Sequence, residues 1–253
     1  MELVDTHSHL EEIEDLDAAI RRAEEVGVIA ILTMGSDKET NMWSLHEGVK
    51  HCNMKLRIYP CIGLHPQNLE PQKAELELKF IEDNIRKAYA IGEIGLDYWH
   101  PDIRKSSEVT EFQRRIFRRL LKLSKDNDKP VSIHSRGAWA EALEITKEEG
   151  VKKAVFHWFS GPLNVLKKLL DEGYYISATP AAAYRKAHRT AISKTPLEQI
   201  LLETDSPVEY LGEPAEPAHI TKTLSAVAEI KNEQITRVAE VTTENAKKLF
   251  KIP

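Results

Sequence analysis

A chain of 253 residues, 42% hydrophobic and 30% charged, has the length of one α/β barrel or two small domains and the polarity of a soluble globular protein. No apolar run reaches the roughly 18 residues of a membrane span. The net charge of -5 offers no general basic surface to nucleic acid, so any anion binding has to be local.

The first apolar stretch runs into Asp5-Thr6-His7-Ser8-His9-Leu10. Residues two apart on a strand point the same way, so His7 and His9 can leave a strand tip side by side and grip one metal ion. The bland alternative is a strand end that only faces solvent. Further strands are expected at 28–34, 57–62, 87–93, 130–134, 154–156, 174–177 and 199–203. They are apolar throughout rather than alternating, as parallel strands covered on both faces are. Between them helical spacing marks 16–26, 39–51, 74–87, 108–125, 138–149, 163–171 and a shorter piece near 184–192. Helices 219–229, 232–239 and 243–250 are expected after the eighth strand.

Strand and helix alternating eight times predict an α/β fold, a (β/α)8 TIM barrel, as a single domain over 1–253. The alternative is a doubly wound open sheet with extra C-terminal helices. The lack of a G-x-G-x-x-G turn after the first strand weakens a dinucleotide fold. Residues 207–217 are expected to loop over the barrel mouth. The start lacks the basic and apolar regions of a signal peptide, and Cys52 and Cys61 form no C-x-x-C, so spare thiols in a reducing cytoplasm are expected.

Barrel active sites sit at the C-terminal ends of the strands, and there metal-capable side chains collect: His7 and His9, His65, Glu93, His134 with Arg136, His157, and Asp205. Glu93 is the hardest to explain blandly, because a carboxylate on a buried strand needs partners. His65 could cap a turn or touch substrate. Asp205 could be an N-cap, and Arg136 a structural salt bridge or a phosphate clamp. Tyr98, Trp99 and Trp158 could stack on a base or merely line the rim. His46-Glu47-Gly48-Val49-Lys50-His51 has one residue too many for H-E-x-x-H, which puts its histidines about 140° apart on a helix.

Four histidines and two carboxylates are too many ligands for one tetrahedral ion and suit a pair of divalent ions. If Glu93 bridges, His7, His9 and Asp205 hold one ion and His134 and His157 the other. Such a pair lowers the pKa of a shared water to about 7. Asp205, expected opposite His7 and His9 across the mouth, is placed to take its proton. Zinc, manganese and magnesium remain open as the metal.

These motifs, with Gly92-Glu93-Ile94-Gly95-Leu96-Asp97-Tyr98, His157 to Gly161, Leu201 to Pro207 and Thr243 to Phe250, resemble the TatD family of metal-dependent deoxyribonucleases within the amidohydrolase superfamily. The resemblance runs nearly end to end. It implies the barrel, two divalent ions, the ligand roles just given, a bridging glutamate and phosphodiester hydrolysis, often of DNA ends. Three departures fall on the substrate side. Leu211-Gly212 stands where an Arg-Asn pair is usual, Ala178-Thr179-Pro180 replaces a glycine after strand seven, and Gln67 replaces a second histidine. The metal chemistry is therefore better supported than DNA as substrate; the resemblance implies DNA or another phosphodiester as partner, and the protein is expected in the cytoplasm, with no membrane. The competing readings are the same centre acting on a lactone, a cyclic amide or an aminoacyl-tRNA ester, and a catalytically silent barrel that binds nucleic acid or another partner.

Overall fold

Strands that are apolar along their whole length need cover on both faces, and here a barrel supplies it. In the computed structural model, which describes residues 1–253, eight parallel strands follow one another in order. They are β1 (Leu3–Ser8), β2 (Val28–Met34), β3 (Arg57–Leu64), β4 (Ala90–Gly95), β5 (Val131–His134), β6 (Ala154–Phe156), β7 (Tyr175–Ala178) and β8 (Ile200–Leu202). Helices α1 (Leu16–Glu25), α2 (Lys38–His46), α3 (Ala74–Asn84), α4 (Pro101–Lys105), α5 (Ser107–Asp126), α6 (Trp139–Glu148), α7 (Leu163–Asp171) and α8 (Lys186–Lys194) connect them. A small hairpin, β9 (Glu209–Tyr210) with β10 (Glu213–Pro214), then precedes α9 (Ile220–Lys231) and α10 (Ile235–Phe250). No helix is long and apolar enough to cross a membrane.

Two expected helices prove to be one. Val238, Val241, Thr242, Asn245 and Leu249 continue a single buried stripe, so α10 runs unbroken from Ile235 to Phe250. The helix expected over 39–51 instead ends at His46 and tightens into a 3-10 turn at Gly48–His51. A side chain at Gly48 would meet the Trp43 ring at 2.9 Å.

The period of two along each strand sorts side chains between the two cores. Val4, Ala30, Leu32, Met34, Cys61, Ala90, Val155 and Leu201 form one cluster, closed at its base by Leu249 and Phe250 of α10. The residues between them, such as Ile31, Ile62, Ile91, Ile133 and Phe156, pack into the larger cluster with the helices. The same parity carries Val155 to His157, Ser132 to His134, and Leu201 through Glu203 to Asp205. Each interior column ends in a polar group at the C-terminal rim.

The barrel closes between β1 and β8, and side chains stitch the seam. Asp5 accepts the Thr204 N–H at 2.9 Å and pairs with its hydroxyl at 2.6 Å. Thr6 Oγ1 donates to the Leu202 carbonyl at 3.0 Å, and Ser8 meets Ser206 at 2.7 Å. Asp5, Thr6 and Ser8 of the first motif therefore serve closure, while His7 and His9 turn to the site. Burial pushes the Asp5 carboxyl up to about 8, against the hydrogen bonds from Thr204. At neutral pH a neutral amide is thus a fair substitute. Asp5→Asn should cost under about 1 kcal/mol, whereas Asp5→Ala strands buried Thr204 groups and should cost about 3 kcal/mol. Urea unfolding of both variants measures this, and equal stability of Asp5→Ala and wild type would refute the stitch.

Candidate metal centre

Closure brings Asp205 beside the first motif. Its N–H donates to the His7 carbonyl at 2.9 Å, and the His9 N–H donates to Ser206 at 2.7 Å. The expectation that Asp205 lies across the mouth from His7 and His9 is thus corrected: strands one and eight are neighbours in a closed barrel. Asp205 sits in the left-handed region at φ 51°, as Trp158 does at φ 42°. Non-glycine residues in that region recur where structure holds a functional group in place.

At the rim, His7 Nε2 lies 3.3 Å from His9 Nε2, 3.4 Å from Glu93 Oε2 and 3.6 Å from Asp205 Oδ1. His9 Nε2 lies 3.5 Å from Glu93 Oε2 and 3.7 Å from Asp205 Oδ1. Ligand atoms about 2.1 Å from a tetrahedral ion are about 3.4 Å from one another, so His7, His9 and Glu93 have the spacing of one ion's ligands, and Asp205 lies at similar reach from both histidines. The other Glu93 oxygen faces a second group. Oε1 lies 2.7 Å from His134 Nδ1 and 2.9 Å from His157 Nε2, and those two nitrogens are 3.3 Å apart.

The far nitrogen of each ring tells ligand from donor. An imidazole that donates outward presents a lone pair inward. His9 Nδ1 meets the Met34 carbonyl at 3.1 Å, and His134 Nε2 meets Asp97 Oδ2 at 2.9 Å. His157 Nδ1 meets Glu203 at 3.3 Å and His7 Nδ1 meets Ser132 Oγ at 3.2 Å. All four can turn a bare nitrogen to a cation. His65 is the reverse. Its Nδ1 accepts the Gln67 N–H at 3.1 Å, so its Nε2, 3.5 Å from Glu93 Oε1, carries the proton. Proximity alone groups His65 with Glu93 and His134, but the tautomer makes it a hydrogen-bond donor.

Charge follows the same logic. Burial would raise Glu93, but His65, His157, His7 and His134 outweigh it and hold the carboxyl well below the usual range. Burial would lower the histidines. Glu11 and Glu93 nonetheless raise His9, Asp97 and Glu93 raise His134, and Glu93 and Glu203 raise His157. The cluster gathers positive charge around Glu93, and divalent ions would supply that charge by displacing protons. The donor set, its spacing and its charge therefore fit divalent metal ions.

Close backbone approach makes this possible. A Cβ at Gly63 would lie 2.4 Å from the Glu93 carbonyl, and one at Gly95 would lie 1.9 Å from that of His134. Asn41 locks Gly63 from outside, donating to its carbonyl at 2.7 Å and accepting its N–H at 2.8 Å.

The wall outside the ligands rearranges the expected substrate contacts. Arg136 lines the cavity, but its Nε and Nη2 are held by Asp97 at 3.0 and 2.7 Å. Gln67 donates to the same Asp97 oxygen at 2.9 Å. Trp99 is exposed and lines the cavity with Trp139 and Trp158. Tyr98 does not: it is buried in the hydrophobic core with Arg114 stacked on its ring at 5.9 Å. A tyrosine at a strand end that packs under α5 cannot reach a base in the cavity.

Asp97 and Glu203, which orient His134 and His157, were not singled out in the sequence. A carboxylate just past the C-terminal end of an apolar strand was the available signal for both. His188 is another buried group found only in the structure. Nδ1 meets the Phe159 carbonyl at 2.9 Å and Nε2 accepts the Thr179 N–H at 3.1 Å. Burial pushes it down from 6.5 to about 4. The unfolded ring binds a proton below pH 6.5 and the folded ring only below about 4, so the stability it contributes above pH 6.5 is lost as pH falls through that window. The loss is about 3 kcal/mol. His188→Gln should therefore flatten the dependence of unfolding free energy on pH by about one proton between pH 6.5 and 4. An unchanged slope would refute the assignment.

Comparison with known proteins gives the family. Residues 4–251 match the family described as TatD related DNase. The chain is 32% identical to deoxyribonuclease TATDN3 of Homo sapiens, over 98% of this chain and 94% of that one. It is also 32% identical to the uncharacterized metal-dependent hydrolase YabD of Bacillus subtilis, over 99% of each. Among solved structures, the TatD homolog YjjV of Escherichia coli superposes with a TM-score of 0.87 at 27% identity, covering 99% of this chain and 98% of that one.

Proposed function

The chain belongs to the family of TatD-related DNases and is a metal-dependent hydrolase, and on that footing we propose that its single barrel domain cuts phosphodiester bonds of DNA at a binuclear centre. The observation that carries this reading is the division of Glu93. One oxygen faces His7 and His9, the other His134 and His157. Two divalent ions bound there would supply an activated water and neutralise charge on the phosphate.

The chain's own groups do the rest. Asp205 Oδ1 stands at 3.6 and 3.7 Å from His7 and His9, beyond hydrogen-bonding distance, and can accept the proton of the attacking water and pass it to the leaving oxygen. His65 aims an N–H into the site, where it can donate to a phosphate oxygen. Asp97 and Glu203 keep the inward nitrogens of His134 and His157 unprotonated once the centre is loaded. Trp99, Trp139 and Trp158 offer faces on which bases can stack, worth roughly 1–3 kcal/mol per base.

The cavity of about 800 Å³ lies toward the upper end of ligand pockets, roughly 300–1,000 Å³. That size suits a nucleotide chain end better than a lactone or cyclic amide. The deciding experiment gives the metal-reconstituted protein labelled single- and double-stranded DNA, RNA, lactones and hydantoins. DNA turnover should exceed the rest, stop with chelator and fall with added salt. Intact DNA beside a quickly opened lactone would replace this reading with the amidohydrolase one.

A further inference from the structure

A phosphate clamp needs a cation whose charge is not already spent. Arg136 fails that test, because buried Asp97 holds two of its nitrogens. The same cavity wall carries two other cations, Arg185 and Lys186, on the segment that leads from β7 into α8. Both are exposed. Neither has a carboxylate partner, whereas Arg189, one turn further on, is paired with Glu229 at 2.7 Å. Arg185 instead lies over the Tyr184 ring at 5.6 Å, a contact that steadies the guanidinium without neutralising it. In a chain of net charge -5, two unpaired cations beside the ligands His157 and Asp205 in one cavity are a local exception.

We propose that Arg185 and Lys186 bind a phosphate flanking the scissile bond, and so select oligonucleotides over small phosphodiesters. This rests on the phosphodiesterase reading above. The metal ligands would hold the scissile phosphate, and the next phosphate along the strand would meet these two side chains at the rim. Lactones and simple diesters offer nothing to them.

The test compares wild type with the double variant Arg185→Gln/Lys186→Gln, both metal-loaded. The substrates are a six-nucleotide single-stranded DNA and bis(p-nitrophenyl) phosphate, a diester with no flanking phosphate. Binding of the same DNA is followed by fluorescence anisotropy across a salt series. The ratio of kcat/KM for DNA to that for the small diester should fall about 10- to 100-fold, through KM, in line with loss of two charge-assisted contacts. The slope of log affinity against log salt should become shallower by about 0.7, the value for one phosphate contact on a single strand. Arg185→Lys, which keeps the charge, should keep most of the slope. An unchanged ratio and slope overturn the clamp, as does an equal loss on both substrates. A wild type that binds DNA yet cleaves neither diester would sink the phosphodiesterase reading instead, and the binding slope would still decide the clamp. A wild type that binds no DNA overturns the clamp.

Discussion

Asp205→Asn should keep its fold and most of its metal while single-turnover cleavage falls about 100- to 10,000-fold, the range for a lost general base. The reason is local. Asp205 holds the left-handed conformation at φ 51°, and asparagine tolerates that region better than other residues do. Its N–H still donates to His7 and the seam stays closed. The amide keeps one oxygen toward His7 and His9 but cannot take a proton. Metal content and single-turnover rate must come from the same sample. A variant that retains metal and cleaves at nearly the wild-type rate would leave Asp205 a ligand only.

Glu93→Gln should be more damaging still. Wild type, saturated with zinc or manganese, is expected to hold close to two ions per chain. The glutamine is nearly isosteric, yet it removes the negative charge on which both groups of histidines converge and leaves one good ligand atom where two are needed. Stoichiometry should drop to one ion or none, and turnover should fall by more than about 10,000-fold, beyond the range for loss of a single base. His134→Ala gives the contrast, because it touches only the Oε1 side and should remove mainly the second ion. Elemental analysis at saturating metal separates the cases. Two ions retained in Glu93→Gln, or one ion in wild type, would count against a bridged pair.

The sequence by itself determined the architecture and the rim. Continuous apolar runs between helical stripes specify a doubly covered parallel sheet, and the period of two sends His134, His157 and Asp205 to the same side as the interior residues two positions before them. Those are local properties of each strand, so His7, His9, Glu93, His134, His157 and Asp205 were all legible as a group at one end of the barrel. Their mutual arrangement was not, because it depends on contacts between strands far apart in the chain. Closure through Asp5 and Thr204, 199 residues apart, made Asp205 a neighbour of His7 rather than a group across the mouth. Tautomers were equally out of reach. Only the partner on the outer nitrogen distinguishes His65, a donor, from His134, whose bare nitrogen faces Glu93. Likewise Tyr98 and Arg136 look alike as rim residues on a linear chain, yet packing under α5 buries the first and Asp97 claims the second. Which cations remain free for substrate is settled by who else is within reach, and that is decided by the tertiary structure alone.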